Sequence, residues 1–373
     1  MTRPSCAVHV SDLLGEPRPR WTPAPGIAAT VRNLGDAVGL THMGVHLRTV
    51  EPGNAGTNRH FHVVEEEWTY VLSGCGAVRI GPHRLPVRAG SFVGFPPGPR
   101  PHHFIAEGTE PLVLLEGGER RPSEDAGAYV DIDKQWRGGK FERWTEQLPP
   151  EIGDPSQLLH IDDVADRSFQ HPVDAQARRV MRRLNQSAGL LRQAMVWTRV
   201  RPGDRSTAFH THDRTDEWIF ALSGRARVRV GDERFEIGPY DFVGHPAGSP
   251  AHVMEPLEPL TYLMGGEINP DDAVIYPDAG VRRVHGKLVP DPGRAGGSPA
   301  SNLKRKRGDE HCAHHPVMYR DAVASLRETR GHVAGVVDLR VRTRKAHDFR
   351  RTAGVGEQPI RHTSNRGAKD GLT

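Results

Sequence analysis

The chain has 373 residues, a length that favours two or three domains over one. Its 41 Gly and 31 Pro make up about a fifth of the chain, which is typical of a β-rich, turn-rich protein and argues against long helical bundles. No run of about 18 uninterrupted apolar residues is present, which excludes a membrane-spanning helix. The first residues lack the apolar core of a secretory signal, and three distant cysteines cannot form a disulfide framework. We therefore expect a cytoplasmic protein.

The formal net charge of +4 is unevenly distributed along the chain. Residues 291–373 hold 17 Lys and Arg against 9 Asp and Glu, a net charge of +8, whereas the first 290 residues hold 33 against 37, a net charge of −4. A nucleic-acid partner would therefore have to bind the C-terminal tail alone. The tail has basic runs without interleaved aromatic residues, so we expect no nucleic-acid partner.

In chain order, the sequence predicts an N-terminal arm over residues 1–30, a first barrel over 31–120, a linker over 121–180, a second barrel over 181–290 and a basic tail over 291–373. The two barrel segments read as short strands separated by turn residues, a pattern typical of a small β-barrel or sandwich. Helical periodicity is present only in the linker and near Asp174–Leu184. The tail resembles neither barrel segment and is predicted to be disordered.

An internal repeat relates the two barrel segments. Short strings recur at a constant offset of 150 residues. The pairs are Gly39-Leu40 and Gly189-Leu190, Val50-x-Pro52-Gly53 and Val200-x-Pro202-Gly203, Leu72-Ser73-Gly74 and Leu222-Ser223-Gly224, and Phe92-Val93-Gly94 and Phe242-Val243-Gly244. Because the offset is constant, the intervening loops match in length, and the chain is predicted to hold two copies of one domain.

Each copy contains two histidines and a glutamate within one short string. In the first copy the string is His60-Phe-His62 followed after four residues by Glu67. Residues two apart on a strand project to the same face, so both imidazoles can aim at one point inside a barrel. Glu67 follows a turn and can return a carboxylate to that point. A more distant histidine, His102, comes after a Pro-rich turn and completes the set.

The second copy repeats this set in the same register, as His210, His212, Glu217 and His252. Three imidazoles and one carboxylate suit a divalent transition metal, with Mn or Fe first and Ni, Co or Zn as further candidates, whereas Mg and Ca prefer oxygen ligands. A single His-x-His is more often a surface pair or a core pair, but two complete sets in register make coincidence implausible. We therefore expect one metal ion per barrel.

Two choices among neighbouring residues remain. Glu66 and Asp216, one position earlier, are alternative carboxylates, although strand alternation favours Glu67 and Glu217. Adjacent residues cannot both point inward on a regular strand, so His102 competes with its neighbour His103. At the 150-residue offset His103 corresponds to a valine, and the repeat therefore assigns His102 to the metal.

These strings resemble the two sequence motifs of the cupin superfamily over residues 39–120 and 189–268. The second motif usually begins with a glycine, which Gly90 provides in the first copy, whereas Tyr240 stands there in the second. No departure affects a predicted ligand. The resemblance implies an all-β fold of two tandem cupin barrels (double-stranded β-helices, or jelly rolls), hence a bicupin.

The resemblance also implies a small oxygenated or carboxylated molecule as substrate or ligand. The protein would be either a metal-dependent enzyme, a dioxygenase or a decarboxylase, or a non-catalytic module that binds a carboxylate or sugar through its metal. Oxalate decarboxylases carry an arginine three residues before the first motif histidine, where this chain has Thr57 and Thr207. We therefore do not assign oxalate decarboxylation. No catalytic residue beyond the metal ligands is identified, no membrane partner is expected, and homo-oligomerisation stays open.

Residues beside the ligands carry two further predictions. With Glu67 facing inward, Trp68 and Tyr70 face outward, as do their counterparts Trp218 and Phe220. We expect the other barrel or a second chain to cover these aromatic side chains, with packing by the N-terminal arm as the alternative. His46 and Arg48 become Val196 and Thr198 in the second copy, so the two sites need not bind the same molecule.

Overall fold

The structure, a computed structural model, describes residues 3–18, 26–143 and 150–294. These residues form strands almost throughout, with one α-helix, α1 (Leu34–Ala37), and five short 3-10 helices among them. The 3-10 helices span Val10–Asp12, Pro155–Gln157, Ile161–Asp163, Pro277–Ala279 and Pro292–Arg294. Among the described residues, no helix has the length and apolar character needed to cross a membrane. The tail predicted to be disordered lies, from residue 295 onward, outside the described residues.

The strands fall into two groups related by the sequence repeat. The first group is β1 (Ala7–His9), β2 (Glu16–Arg18), β3 (Ala29–Asn33), β4 (Met43–Val50), β5 (His60–His62), β6 (Glu67–Ser73), β7 (Cys75–Ile80), β8 (His83–Arg88), β9 (Ser91–Phe95), β10 (His102–Ala106), β11 (Leu112–Glu119), β12 (Ala126–Tyr129), β13 (Lys134–Arg137) and β14 (Lys140–Arg143). The second group is β15 (Leu158–His160), β16 (Arg167–His171), β17 (Asp174–Arg183), β18 (Gln193–Val200), β19 (Thr211–His212), β20 (Glu217–Ser223), β21 (Ala226–Val230), β22 (Glu233–Ile237), β23 (Asp241–His245), β24 (His252–Pro256), β25 (Leu260–Glu267), β26 (Ala273–Tyr276), β27 (Val281–Val284) and β28 (Lys287–Pro290).

Barrel 1 is a sandwich of two seven-stranded sheets. One sheet has the order β14-β13-β12-β5-β10-β7-β8 and the other β15-β9-β6-β11-β4-β3-β2. The apolar core between them includes Val71, Val78, Phe95 and Leu114. Strands β5, β10 and β6, which begin at predicted ligands, come from both sheets, so the predicted site lies between the sheets.

Barrel 2 repeats this arrangement with looser pairing in the site-bearing sheet. One sheet has the order β1-β23-β20-β25-β18-β17-β16, and the strands opposite form two smaller sheets, β19-β26-β27-β28 and β22-β21-β24. Where β5 pairs with β10 in barrel 1, the second barrel has a single bridge between His210 and His252. The fold is therefore all-β with two tandem barrels, as predicted.

The leading arm of each barrel adds a strand to the other barrel. Strand β1 pairs antiparallel with β23 of barrel 2, placing Val8 opposite Phe242. Strand β15 pairs with β9 of barrel 1, placing Leu159 opposite Phe92. The partner residues on β23 and β9 correspond at the 150-residue offset, and the arm residues opposite them at an offset of 151. This reciprocal exchange gives the arm of residues 1–30 a structural role that its sequence does not reveal.

The outward aromatic side chains are buried between the barrels, which confirms that the other barrel covers them. Trp68 and Trp218 are fully buried and stack with ring centroids 5.2 Å apart. They belong to one apolar cluster, with Tyr70 and Phe220, that draws residues from both barrels and is joined by partly buried residues of the arms, such as Val8. The barrels thus share a core.

Glu66 and Asp216, the alternative metal ligands, lie at this interface. The carboxylate of Glu66 accepts hydrogen bonds from the backbone N–H groups of Leu191 and Arg192 at 3.0 and 2.9 Å. Asp216 accepts equivalent bonds from the backbone of Thr41 and its successor at 2.8 Å each. Each carboxylate therefore binds a loop of the opposite barrel, away from the predicted site.

The segment between the copies differs in structure from what its sequence predicts. Of residues 174–184, where we expected helical periodicity, Asp174–Arg183 form strand β17, which pairs with β16 and β18. The helix prediction is therefore wrong, because sheet pairing on both sides outweighs the helix propensity of the Ala and Arg residues in this strand. The segment 121–180, predicted as a linker, contributes strands to both barrels in its described part, including β12 beside β5.

Candidate metal centres

The four predicted ligands of barrel 1 come together between the two sheets. His60 and His62 extend from β5, His102 begins β10, and Glu67 begins β6 in the facing sheet. The Nε2 atoms of the three imidazoles lie 3.7, 3.4 and 3.1 Å from a carboxylate oxygen of Glu67. Alternation on β5 places Phe61 in the opposite, buried direction. The structure therefore brings together the four residues that the register argument selects, and their role as metal ligands remains a prediction.

Each of these imidazoles is oriented by a partner on its other nitrogen. Nδ1 of His60 faces the carbonyl oxygen of Asn58 at 3.1 Å, and Nδ1 of His102 faces that of Arg100 at 3.0 Å. Nδ1 of His62 faces the carboxylate of Asp125 at 2.7 Å. If each Nδ1 carries the proton that it donates, each Nε2 keeps a lone pair directed towards Glu67. This is the arrangement that metal-binding histidines adopt.

Barrel 2 brings the equivalent four side chains together, although Nδ1 of His252 has no hydrogen-bond partner among the described residues. The Nε2 atoms of His210, His212 and His252 lie 3.3, 3.5 and 3.3 Å from Oε2 of Glu217. Nδ1 of His210 faces the carbonyl of Ala208 at 3.0 Å, as its counterpart in barrel 1 faces a carbonyl. The second centre thus has the same donor set.

The electrostatics of both centres favour a bound cation. Burial acts to raise the pKa of Glu67 and of Glu217, but the surrounding imidazoles lower both pKa values well below the usual range, which keeps the carboxylates charged. Burial lowers the pKa of His60 to about 3 and that of His210 to about 4, so both rings are neutral. Burial also acts to lower the pKa of His62 and of His212, but the carboxylates beside them raise these pKa values to about 10 and about 9, so both positions attract positive charge. Among the described residues, Oε2 of each glutamate is buried without a hydrogen-bond partner. Buried carboxylate oxygens that lack a hydrogen-bond partner, beside imidazole nitrogens in a site that attracts positive charge, fit a divalent metal ion.

Sequence analysis missed the carboxylates behind the ligands. Asp125 bonds His62, and Asp272 bonds His212 through Nδ1 at 2.6 Å. The indole N–H of Trp136 also donates to Asp125 at 2.9 Å. A signal was present, because Asp-x-x-x-Tyr occurs at Asp125 and again at Asp272, but the offset has drifted from 150 to 147 residues. A search at constant offset does not find it.

A cavity of about 230 Å³ adjoins the ligands of barrel 1. Its lining includes Thr57, His46, Arg48 and Glu116. Arg48 forms a partly buried ion pair with Glu116 through Nε, 2.8 Å from the nearer carboxylate oxygen, and Nη2, while Nη1 donates to the carbonyl of Gly56. The cavity thus has a polar wall opposite the candidate metal centre, in which both charges are already paired.

The corresponding wall of barrel 2 is chemically different. At the 150-residue offset, Val196 and Thr198 replace His46 and Arg48, and in strand β25 Met264 stands in the place of Glu116. On the opposite side, His245 takes the place of Phe95. The two centres therefore share ligands and differ in their surroundings.

His103 has a separate environment from that of His102. Its Nδ1 lies 3.2 Å from the carbonyl oxygen of Thr57, and the ring is partly buried. His102, in contrast, is buried against Phe95, with ring centroids 3.7 Å apart. These contacts agree with the assignment of His102 as the ligand, which remains a prediction.

Comparisons with known proteins agree with this architecture. The Cupin_2 family, described as a cupin domain, matches residues 46–117 and 196–264, one match in each barrel. The chain belongs to the cupin superfamily. With one cupin domain in each half, it is a bicupin. A search of curated proteins finds no match to its sequence.

This chain is also similar to solved structures. Oxalate decarboxylase of Lactobacillus farciminis, in a formate complex, is 16% identical, with coverage of 74% of this chain and 89% of that one and a TM-score of 0.50. Oxalate decarboxylase of Bacillus subtilis at pH 4.6 is 18% identical over 71% of this chain and 76% of its own, with a TM-score of 0.46. A protein of Acidithiobacillus ferrooxidans, provisionally described as a sugar phosphate isomerase, is 34% identical over 42% of this chain and 90% of its own, with a TM-score of 0.33. The TM-score of the Lactobacillus farciminis enzyme shows that it shares the fold of this chain. The TM-scores of the other two structures are too low to support a structural argument.

Proposed function

We propose that this chain is a metal-dependent bicupin enzyme that binds and transforms a small oxygenated or carboxylated molecule in barrel 1. The observation that carries this proposal is the cavity of about 230 Å³ beside the four candidate ligands. Cavities for drug-sized ligands measure about 300–1,000 Å³, so this one suits a smaller molecule. The ligands leave at least one position open on a five- or six-coordinate ion, which the cavity would supply with substrate.

The proposed ligands are His60, His62, Glu67 and His102 in barrel 1 and His210, His212, Glu217 and His252 in barrel 2. A bound ion would supply Lewis acidity or, for Mn or Fe, electron transfer. Each donor set carries one negative charge, from its glutamate, so a divalent ion leaves the centre with a net charge of +1. That excess favours an anionic oxygen ligand such as a carboxylate. The paired charges of Arg48 and Glu116 shape the wall without adding to this charge.

Decarboxylation and dioxygenation are the two reaction classes that we propose. Oxalate decarboxylases share the fold of this chain, which keeps decarboxylation among the candidates. Thr57 lines the cavity at the position where the resemblance would require an arginine, so we do not propose oxalate as the substrate. A non-catalytic protein that binds a carboxylate or sugar through the same metal centres is the alternative.

Metal analysis and turnover assays test this proposal. Full-length protein purified without oxygen should contain about two transition-metal ions per chain. A variant with both His60→Ala and His210→Ala should lose both ions, and the matched control His83→Ala, in strand β8, should retain them. Oxygen uptake and carbon dioxide release are then measured over a panel of small carboxylates and catechols. Binding without turnover by the metal-loaded protein would favour the non-catalytic alternative.

A further inference from the structure

One buried side chain near the barrel 2 centre has no role in the fold or in the ligand set. His245 ends strand β23 and is 3% exposed. Its ring stacks on that of His252, with centroids 3.4 Å apart and planes 6° from parallel. Neither ring nitrogen has a hydrogen-bond partner among the described residues. A neutral imidazole has one donor and one acceptor, and burial of both without partners is costly.

Barrel 1 shows that the fold does not require a histidine there. Phe95 occupies the equivalent position and stacks on His102 with centroids 3.7 Å apart and planes 10° from parallel. A phenyl ring fills this space without leaving a polar atom unpaired. The polar nitrogens of His245 therefore point to a partner other than the protein atoms described.

The stacking excludes His245 as a further ligand of the same ion. The nitrogen lone pairs of an imidazole lie in the plane of its ring. Because the two rings are nearly parallel, with centroids 3.4 Å apart, the lone pairs of His252 and His245 lie in separate planes and do not converge on one ion. Metal–nitrogen bonds of about 2.0–2.1 Å are shorter than this separation. The partner of His245 would therefore be a bound molecule and not the ion itself.

The residues around His245 indicate what kind of bound molecule would accept its hydrogen bond. Val196, Thr198 and Met264 replace the polar residues of the barrel 1 wall, so barrel 2 loses the ion pair of that wall and gains the imidazole of His245 on the opposite side. A divalent ion with Glu217 as its one anionic ligand keeps a net positive charge. An anionic oxygen would balance that charge and accept a hydrogen bond from the imidazole N–H.

We propose that His245 is a specificity-determining residue that donates a hydrogen bond to a carboxylate oxygen bound to the barrel 2 ion. The inference rests on the proposed function in one respect, namely that barrel 2 holds a metal ion. It adds a chemical difference between the centres, because Phe95 cannot make this bond. Barrel 2 should therefore bind a small carboxylate more tightly than its ligand set alone would allow.

The test uses full-length protein in which His60→Ala and His62→Ala remove the barrel 1 centre. The protein is loaded with Co²⁺ and titrated with acetate, and the visible absorption of the ion reports binding. His245→Phe, which restores the barrel 1 residue, should keep about one Co²⁺ per chain and weaken acetate binding about tenfold or more, since hydrogen bonds to charged groups are the stronger ones. His245→Gln, which keeps an N–H donor, should recover part of the loss.

Equal acetate affinity in the His245→Phe variant and its parent would overturn the inference while leaving the metal centre intact. Loss of Co²⁺ from His245→Phe would also overturn it, because the residue would then act on the ion itself. Absence of Co²⁺ from the parent would instead contradict the proposed function, and it is detected before acetate is added. Thermal unfolding of each variant confirms that it is folded.

Discussion

Orientation of the ligands depends on residues that do not touch the proposed ion. Asp125 holds His62 and also accepts the indole N–H of Trp136, while its second oxygen accepts the backbone N–H of Val64 at 2.9 Å. Burial acts to raise the pKa of Asp125, but His62 and these hydrogen bonds lower it, so the group is a carboxylate. A charged acceptor of this kind fixes the ring and strengthens its other nitrogen as a ligand.

Replacement of this carboxylate should weaken the barrel 1 centre without unfolding it. In Asp125→Asn the amide oxygen can still accept from Val64, but the NH₂ group would face the N–H groups of His62 and Trp136. We expect metal affinity in barrel 1 to fall about 10- to 100-fold, measured by competition with a chromophoric chelator. The neighbouring exposed carboxylate provides the control, and Glu124→Gln should leave the affinity unchanged. If the metal affinity of Asp125→Asn is unchanged, Asp125 does not orient His62 for metal binding.

The adjacent histidines 102 and 103 give a second prediction at this scale. His102 faces Glu67, whereas His103 faces a backbone carbonyl. His102→Ala should therefore lose the barrel 1 ion or weaken it by orders of magnitude, and His103→Val, which introduces the barrel 2 residue, should retain it. Metal content per chain distinguishes the two variants. The reverse result would show that the ligand register is shifted by one residue.

Among the elements, strand β6 shows what sequence could predict. Its alternation sends Thr69 and Val71 towards barrel 1 and Trp68 and Tyr70 towards the other barrel, and both faces are buried. Period-two alternation and the repeat were sufficient to predict the inward and outward faces of this strand. Strand β17 was misread because its Ala and Arg residues favour a helix locally, while hydrogen bonding to β16 and β18 is non-local.

The exchange of arms was beyond prediction for a different reason. Strands β9 and β23 present equivalent edges, and the arms β1 and β15 are equivalent too, so local patterns do not distinguish pairing within a barrel from pairing between barrels. The chain connections and the shared core decide this choice. Asp125 and Asp272 were not found because the loops of the two copies differ in length both before and after β11.

A charge placed in β1 should destabilise barrel 2, although β1 lies far from it in sequence. Ala7 is 7% exposed and packs in the barrel 2 core opposite Val243. Ala7→Asp would bury a carboxylate without a partner, and we expect the free energy of unfolding to fall by at least about 2 kcal/mol. The matched control is Leu14→Asp, at a side chain that is 92% exposed, which should change it by less than about 0.5 kcal/mol. Urea titration followed by tryptophan fluorescence measures the free energy of unfolding of both variants. Equal values would mean that strand β1 does not stabilise barrel 2.

At the scale of the whole molecule, the two barrels are joined more closely than tandem domains connected by a linker. Trp68 and Trp218 stack at the centre of their interface, Glu66 and Asp216 each bind a loop of the opposite barrel, and the arms cross between them. The indole N–H of Trp68 also donates to Gln193 of barrel 2 at 2.9 Å. Unfolding of one barrel would expose apolar surface and unpaired backbone groups of the other. The described part of the chain should therefore unfold cooperatively.

Metal binding to one barrel alone tests that cooperativity. In the His60→Ala, His62→Ala variant only barrel 2 keeps a complete ligand set. An ion at about 100 times its dissociation constant stabilises the folded state by about 2.7 kcal/mol. Because the barrels share a core, calorimetry should show one transition for both barrels, and added metal should move the whole transition upward by several degrees. The variant lacking both centres is the control and should not shift. Two transitions, of which metal moves only one, would show that the barrels unfold independently despite the shared core and exchanged arms.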